Sequence, residues 1–316
     1  MIINIHDFKM LFHKKLLILG VVDESSRIDI IDHYLNAEFR GKKTHGISKF
    51  LYDSQFYSDR EEDNIAIEKD KKNTLLINGN KGIGPLVMNA CVDILLNRIN
   101  EYGTVIIGLK NFQRYGSLFD FVEKIARKGY IAFITNNTEP FVLPFGGTAP
   151  LFGTNPIAIG IPTNKDPIVL DMSTSERSAN SIWNTKDGIL EDGIYTTKTG
   201  EYTTCAADVV GIRNFGGHKG YGISLVAEVL SSIPTAGNFS FNIKNDKYGT
   251  GAFFHAIDIA SFCSIEYFKH QIDDLIVKIK NQGAFVPGEQ SFLKYERNIQ
   301  IGTIDLDESI AQEFLF

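Results

Sequence analysis

The run Thr104-Val105-Ile106-Ile107-Gly108-Leu109, a helical stretch over residues 117–128 closed by Gly129, and the run Tyr130-Ile131-Ala132-Phe133-Ile134 together decide the fold. Both apolar runs are continuous rather than alternating, the pattern of strands covered on both faces. With the helix between them they read as an α/β unit. Toward the C-terminus, residues 157–161, 168–170 and 252–259 predict further strands, and residues 219–230 and 264–280 predict helices. The last of these is amphipathic through Ile265, Phe268, Ile272, Leu275, Ile276 and Ile279. Toward the N-terminus, residues 64–80 read as strand and turn, and Pro85 and Gly103 frame a helix. Ile28, Ile31, Leu35 and Phe39 recur at helical spacing between a cap at Ser25 or Ser26 and a stop at Gly41, so Thr44-His45-Gly46 lies just beyond a helix end.

Two irregular stretches stand out. Pro140, Pro144, Gly146, Gly147, Gly153 and Pro156 make a rigid connection of the kind on which ligand groups collect. Residues 187–217 are polar, turn-rich and without apolar periodicity, so they are expected to cover the surface or a cleft, in the manner of a lid, rather than to build core.

A chain of 316 residues, 43% hydrophobic and 22% charged, can bury a large core and exceeds one ordinary domain, so one large or two interleaved domains fit. The division expected sets residues 76–264 against residues 1–75 plus 265–316. A net charge of -6, with no basic run longer than Lys42-Lys43 or Lys71-Lys72, argues against a nucleic-acid partner. Cys91, Cys205 and Cys263 lie far apart without metal-ligand spacing, which predicts neither a metal nor a disulfide framework and fits a reducing, cytoplasmic setting. The apolar run over residues 16–22 is too short to span a bilayer and no cleavage site follows it; no membrane partner is expected, and the mature chain is expected to begin at Met1.

The candidate chemistry gathers in four places. Arg40, Thr44, His45 and Lys49 put two cations, a hydroxyl and a titratable imidazole within ten residues, which suits a carboxylate with a carbonyl beside it; a solvated basic turn is the plainer reading. Asp171-Met172-Ser173-Thr174-Ser175 and Thr135-Asn136-Asn137 each follow a buried strand, at the carboxyl end where α/β sheets bind ligands, and each also suits a cap or turn. The sequence contains no GxGxxG run, but Gly216-Gly217-His218-Lys219-Gly220 opens a helix whose free N–H groups and dipole favour an anion.

In order along the chain, Glu38-Phe39-Arg40-Gly41, Thr44-His45-Gly46, Thr135-Asn136, Leu143-Pro144-Phe145-Gly146-Gly147, Phe152-Gly153-Thr154-Asn155-Pro156, Leu170-Asp171-Met172-Ser173-Thr174-Ser175, Gly216-Gly217-His218-Lys219-Gly220-Tyr221-Gly222 and Val286-Pro287-Gly288-Glu289 resemble the motifs of the type-2 malate/L-lactate dehydrogenases. That family includes ureidoglycolate, sulfolactate and diketogulonate enzymes and cyclic-imine reductases. The resemblance implies a three-layer α/β/α fold with a mixed sheet, a non-Rossmann nicotinamide site in a cofactor-binding domain over residues 76–264, a smaller helical domain for substrate and dimerisation from the two chain ends, residues 1–75 plus 265–316, and a homodimer. It implies NAD or NADP as cofactor, held by Thr135, Asn136, Asp171, Met172, Ser173, His218, Lys219, Gly288, Glu289 and Gln290. A small-molecule carboxylate would be the substrate, met by Arg40, Thr44 and Lys49, with His45 acting on its carbonyl.

The chain departs from the family pattern in three places. Arg114 stands where the family has a histidine thought to transfer a proton, and a guanidinium cannot shuttle protons near neutrality. It joins His45 in the expected catalytic pair, with His45 as the matched proton donor and Arg40, Lys49 or Arg114 as the holder of the carboxylate. Lys49 replaces an arginine, keeping charge but losing the bidentate fork. Asn180-Ser181 replaces a Gly-Lys pair. The leading expectation is therefore hydride transfer between nicotinamide and C2 of a small 2-oxo or 2-hydroxy acid. The alternatives are reduction of a cyclic imine 2-carboxylate or similar biosynthetic acid, and a homologue that binds without turnover.

Overall fold

A computed structural model describes residues 1–60, 64–183, 185, 188–243 and 248–315. Its centre is a seven-stranded mixed sheet built from β1 (Ala66–Asp70), β2 (Thr74–Gly82), β3 (Thr104–Phe112), β4 (Tyr130–Asn136), β5 (Ile157–Ile161), β6 (Ile168–Met172) and β7 (Gly251–Asp258), in the order β1-β2-β3-β7-β4-β5-β6. Only β2 and β3 pair in parallel; every other neighbouring pair is antiparallel. The unit that begins with β3 and ends with β4 is present, but the two strands are not neighbours, because β7 inserts between them and pairs with both.

Helices cover both faces of the sheet. Val105, Ile107 and Leu109 of β3, Ala132 and Ile134 of β4 and Phe254 of β7 are buried against Met88, Cys91, Val92 and Leu95 of α4 (Gly84–Tyr102) and Phe121, Val122 and Ile125 of α5 (Phe119–Arg127). On the opposite face two glycines let α6 (His218–Ser232) and the turn after it lie close: a methyl group on Gly108 would sit 3.4 Å from the Thr235 backbone, and one on Gly251 would run into the Ser231 carbonyl. Helix, sheet and helix thus form the three layers expected.

The two chain ends share a second core. Phe8, Phe12 and Leu16 of α1 (Ile5–Ile18), Ile30, Tyr34 and Leu35 of α2 (Glu24–Phe39) and Phe50 of α3 (Ile47–Asp53) pack with Ile304, Leu306 and Phe314. Phe8 and Phe12 meet Phe314 at centroid distances of 4.9 and 5.1 Å, edge to face. Helices α7 (Ile265–Asn281), α8 (Glu289–Ile301) and α9 (Glu308–Leu315) complete the chain.

The structure departs from the sequence expectations in two places. Helix α2 is capped by Asp23, whose carboxylate accepts the Ser26 N–H at 2.7 Å, not by Ser25 or Ser26. The polar stretch over residues 187–217, whose first residue lies outside the described residues, does build core: it carries the short strands Tyr195–Thr196, Tyr202–Thr203 and Gly211–Ile212 over a cluster of Ile182, Leu190, Ile194, Tyr195 and Ile212. Two-residue strands leave too little periodicity to read.

Candidate active site

His45 is delivered by a tight reversal between two helices. Helix α2 ends at Phe39, Gly41 takes φ +76°, a 3-10 turn spans Lys43–His45, and α3 starts at Ile47. The reversal is so close that a Cβ on Gly46 would lie 3.1 Å from the Cα of Glu38 and nearer still to its carboxylate, while Glu38 Oε2 accepts the Ile47 N–H at 3.1 Å. Gly46 is therefore required for the approach, and Glu38 caps the start of α3; burial raises the pKa of that carboxyl.

Thr44 Oγ1 lies 2.9 Å from His45 Nδ1. Burial lowers the His45 pKa to about 4; the nearby carboxylates of Asp171 and Asp53 oppose that shift, and Lys42 and Lys49 reinforce it. The imidazole is consequently neutral at neutral pH.

The groups around it are paired charges. Lys49 Nζ donates to Asp53 Oδ1 at 2.6 Å, and Tyr34 Oη donates to Asp53 Oδ2 at 2.8 Å. Burial, reinforced by Asp53, holds the phenols of Tyr34 and Tyr57 in their neutral form well past the usual range. Lys49 Nζ also sits 4.8 Å from the centre of the Tyr52 ring, and the Arg114 guanidinium sits 5.3 Å from the same ring, so one aromatic side chain gathers both cations. Arg114 forms an ion pair with Glu139. Lys42 pairs with Asp171 at 3.0 Å, and the same carboxylate accepts the Phe119 N–H at 3.2 Å.

The Arg114 loop is fixed from several sides. Gln113 donates to the Phe56 carbonyl at 2.7 Å, the Tyr115 hydroxyl donates to Asn136 Oδ1, and His33 sits between the Tyr115 carbonyl at 2.5 Å and Asp120 at 3.1 Å. Gly116, at φ +77°, then passes beside the His45 carbonyl, which a Cβ there would meet at 3.4 Å. The structure thus brings Thr44, His45, Lys49, Arg114, Asp171 and, through Tyr115, Asn136 into one neighbourhood.

Arg40 has other employment. Its Nη2 donates to Glu123 at 2.6 Å, its Nε to Asn36 at 2.7 Å, and its plane lies 4.1 Å from the Phe292 ring, so it braces α2, α5 and α8. Thr135 and Asn136 are likewise buried and internally bonded, to the Pro156 carbonyl at 2.8 Å and the Asn137 carbonyl at 2.9 Å. The Ser173 hydroxyl donates to the Ser175 carbonyl at 3.1 Å, and Met172 pairs in register with Ile157.

His218 and Lys219 are exposed at the start of the fifteen-residue α6, after Gly216 and Gly217 at φ +55° and +62°. This turn is tied to the end of β6 by the Phe215 N–H bond to the Thr174 carbonyl at 3.2 Å and borders a cleft of about 430 Å³ lined by Glu176, Arg213 and Asn214. An exposed lysine beside a helix N-terminus fits a phosphate. Gly288, at φ +90°, packs against Val169 in the first half of β6, with Gln290 in the first turn of α8, while Glu289 pairs with Lys280 at 2.6 Å. The Ser181 hydroxyl donates to the Ser178 carbonyl at 2.6 Å; the Asn180 side chain lies outside the described residues. Tyr52, Asp53 and Glu139 were not singled out from the sequence. The i,i+4 spacing of Lys49 and Asp53 was a readable signal; nothing local tied Glu139 to Arg114.

Comparison with known proteins places these features in a family context. The family described as malate/L-lactate dehydrogenase matches residues 3–315. The malate/(S)-sulfolactate dehydrogenase of Methanothermus fervidus is 29% identical, over 99% of this chain and 96% of its own. The solved structure of the sulfolactate dehydrogenase of Methanocaldococcus jannaschii superposes with a TM-score of 0.87 at 27% identity, covering 99% of this chain and 95% of that one. A Δ1-pyrroline-2-carboxylate/Δ1-piperideine-2-carboxylate reductase of Pseudomonas syringae is 28% identical over 71% of this chain and 68% of its own.

Proposed function

Because this chain belongs to the malate/L-lactate dehydrogenase family, we propose that it exchanges hydride between a nicotinamide dinucleotide, NAD or NADP, and C2 of a small 2-hydroxy or 2-oxo acid. The observation that carries the reading is a half-buried, neutral His45 beside Lys49, which shares the Tyr52 ring with Arg114. A neutral imidazole takes the hydroxyl proton as the alcohol is oxidised and returns it to the carbonyl oxygen in the reverse direction. Arg114 and Lys49 supply positive charge for the carboxylate beside that carbonyl, and Thr44 orients the ring. The bound dinucleotide supplies the hydride acceptor or donor. Lys219, His218 and the Gly216-Gly217 turn would hold its phosphates, and the end of β6 at Asp171, Met172 and Ser173 would lie along it.

A homodimer is part of this reading. Leu225, Val226, Val229 and Ile233 form an apolar stripe along α6, with Ile233 61% exposed, and a second copy of the chain would cover it. The test of the activity is oxidation of NADH or NADPH with a panel of 2-oxo acids. Turnover that falls at least a hundredfold in His45→Ala supports it; no turnover, or an unaffected variant, refutes it. The similarity to the Pseudomonas syringae reductase, together with Arg114 in a position where it transfers no proton, favours a second reading as a reductase of cyclic imine 2-carboxylates. A protonated imine needs one proton donor fewer, so turnover of Δ1-piperideine-2-carboxylate but of no 2-oxo acid would select it. Nicotinamide binding without any hydride transfer would select a non-catalytic role.

A further inference from the structure

We infer that Glu139 sets the affinity of this site: its carboxylate occupies the Arg114 guanidinium in the free chain and yields that place to the carboxylate of the substrate. The inference rests on the reading of the site as one for a small carboxylic acid.

Three cations were candidates for that carboxylate, and each already holds one. Their partners differ in burial: the side-chain exposure is 0% for Asp53 on Lys49, 8% for Glu123 on Arg40 and 36% for Glu139 on Arg114. Pulling a buried carboxylate off its cation strands a charge without water, which is strongly unfavourable. Separating a half-exposed pair costs little, because water solvates the released carboxylate. Lys42 offers no better exit, since Asp171 is only 11% exposed and also holds the Phe119 N–H. Of these cations, Arg114 is the one free to change partner.

Its geometry favours the exchange. Glu139 engages Nη2, while Nε of the same guanidinium is buried and has no hydrogen-bond partner among the described residues. A carboxylate lying side-on to Nε and Nη2 would satisfy both donors of the planar fork. The guanidinium is also placed independently of Glu139, by its contact with Tyr52 and by the bonds that anchor Gln113 and Tyr115. Glu139 itself leaves the chain three residues beyond β4, next to Thr138, whose hydroxyl accepts the Thr154 N–H at 3.0 Å; the backbone is anchored there and the side chain faces solvent.

The variant Glu139→Gln keeps the shape and removes the competing charge. Oxalate and oxamate are titrated calorimetrically into wild type and variant with cofactor present, and KM and kcat are measured for any 2-oxo acid that the wild type reduces. The expected result is a Kd and a KM lower by about two- to fivefold, with kcat changed less, and loss of that gain in Glu139→Gln combined with Arg114→Met. Equal or weaker binding by Glu139→Gln overturns the inference and makes Glu139 a residue that holds Arg114 in place. If oxalate binding tightens while no acid is reduced, the inference stands and the proposed reaction falls. If acids are reduced with KM unchanged or raised, the inference falls alone.

Discussion

Binding of a carboxylate should drive proton uptake by His45. In the free chain burial holds that imidazole at a pKa of about 4, so roughly one molecule in a thousand carries the proton at neutral pH. Reduction of a carbonyl needs the protonated form, and the substrate itself can supply the difference. If the substrate carboxylate comes to rest about 5 Å from the ring, at an effective dielectric constant of about 20, it stabilises the imidazolium by roughly 3 kcal/mol, or about a hundredfold or more in proton affinity. That moves half-protonation from about pH 4 to about pH 6, and binding of oxamate near pH 6 should then take up about half a proton per site. Calorimetry in buffers of different ionisation enthalpy counts those protons directly, and His45→Gln should abolish the uptake. NMR of labelled histidine gives the free-state titration independently. If His45 titrates near its ordinary value without ligand, or if oxamate binds without proton uptake, the assignment of His45 as the proton carrier is wrong.

The burial of the ion pairs predicts unequal costs for removing cations. Lys49→Met leaves Asp53 charged and dry, so it should cost about 3–5 kcal/mol in a denaturant titration, whereas Arg114→Met should cost at most about 1 kcal/mol because Glu139 can be hydrated. Gly46→Ala should destabilise the fold by about 1–3 kcal/mol, since the new methyl meets the Glu38 backbone as well as its carboxylate; an unchanged melting temperature would show that the reversal is looser than described. The pKa of His45 is depressed in the folded chain, so its stability contribution is whole above about pH 6.5 and is lost as pH falls toward about 4, up to roughly 3 kcal/mol; His45→Gln should flatten that part of the pH–stability curve. Val226→Asp with Val229→Asp should convert a dimer to a monomer in light scattering.

Much of the fold was legible because long buried strands and capped helices carry their own periodicity. Residues 104–109 and 130–134 announced β3 and β4, and Pro85 and Gly103 bounded α4 almost to the residue. Sheet order was another matter. That β7, more than a hundred residues further on, divides β3 from β4 is a matter of packing between faces: small residues at Gly108 and Gly251 admit α6, and no local pattern encodes that. The small core beneath residues 188–212 was missed for a related reason, since its strands are two residues long and its apolar residues are scattered among turns.

The site shows the same division between what residue types announce and what pairing decides. His45 and its charged neighbours were visible as a cluster of suitable chemistry, but a cation in a sequence carries no label for its partner. Arg40 looked as fit to grip a carboxylate as Arg114, yet the chain spends it on Glu123 beneath Phe292, and it holds three helices together instead. Lys49 has its counter-charge one helical turn away and fully buried, so it keeps that partner. Arg114 alone of the three nominated cations pairs with a carboxylate that water can reach. Arg114, at the position where the resemblance implies a proton-transfer histidine, is therefore proposed as the one nominated cation able to exchange its partner for a substrate. In the proposed reaction the labour at the centre is then divided: Arg114 for charge, His45 for the proton, and Tyr52 as the surface on which two like charges are held close enough to serve one anion.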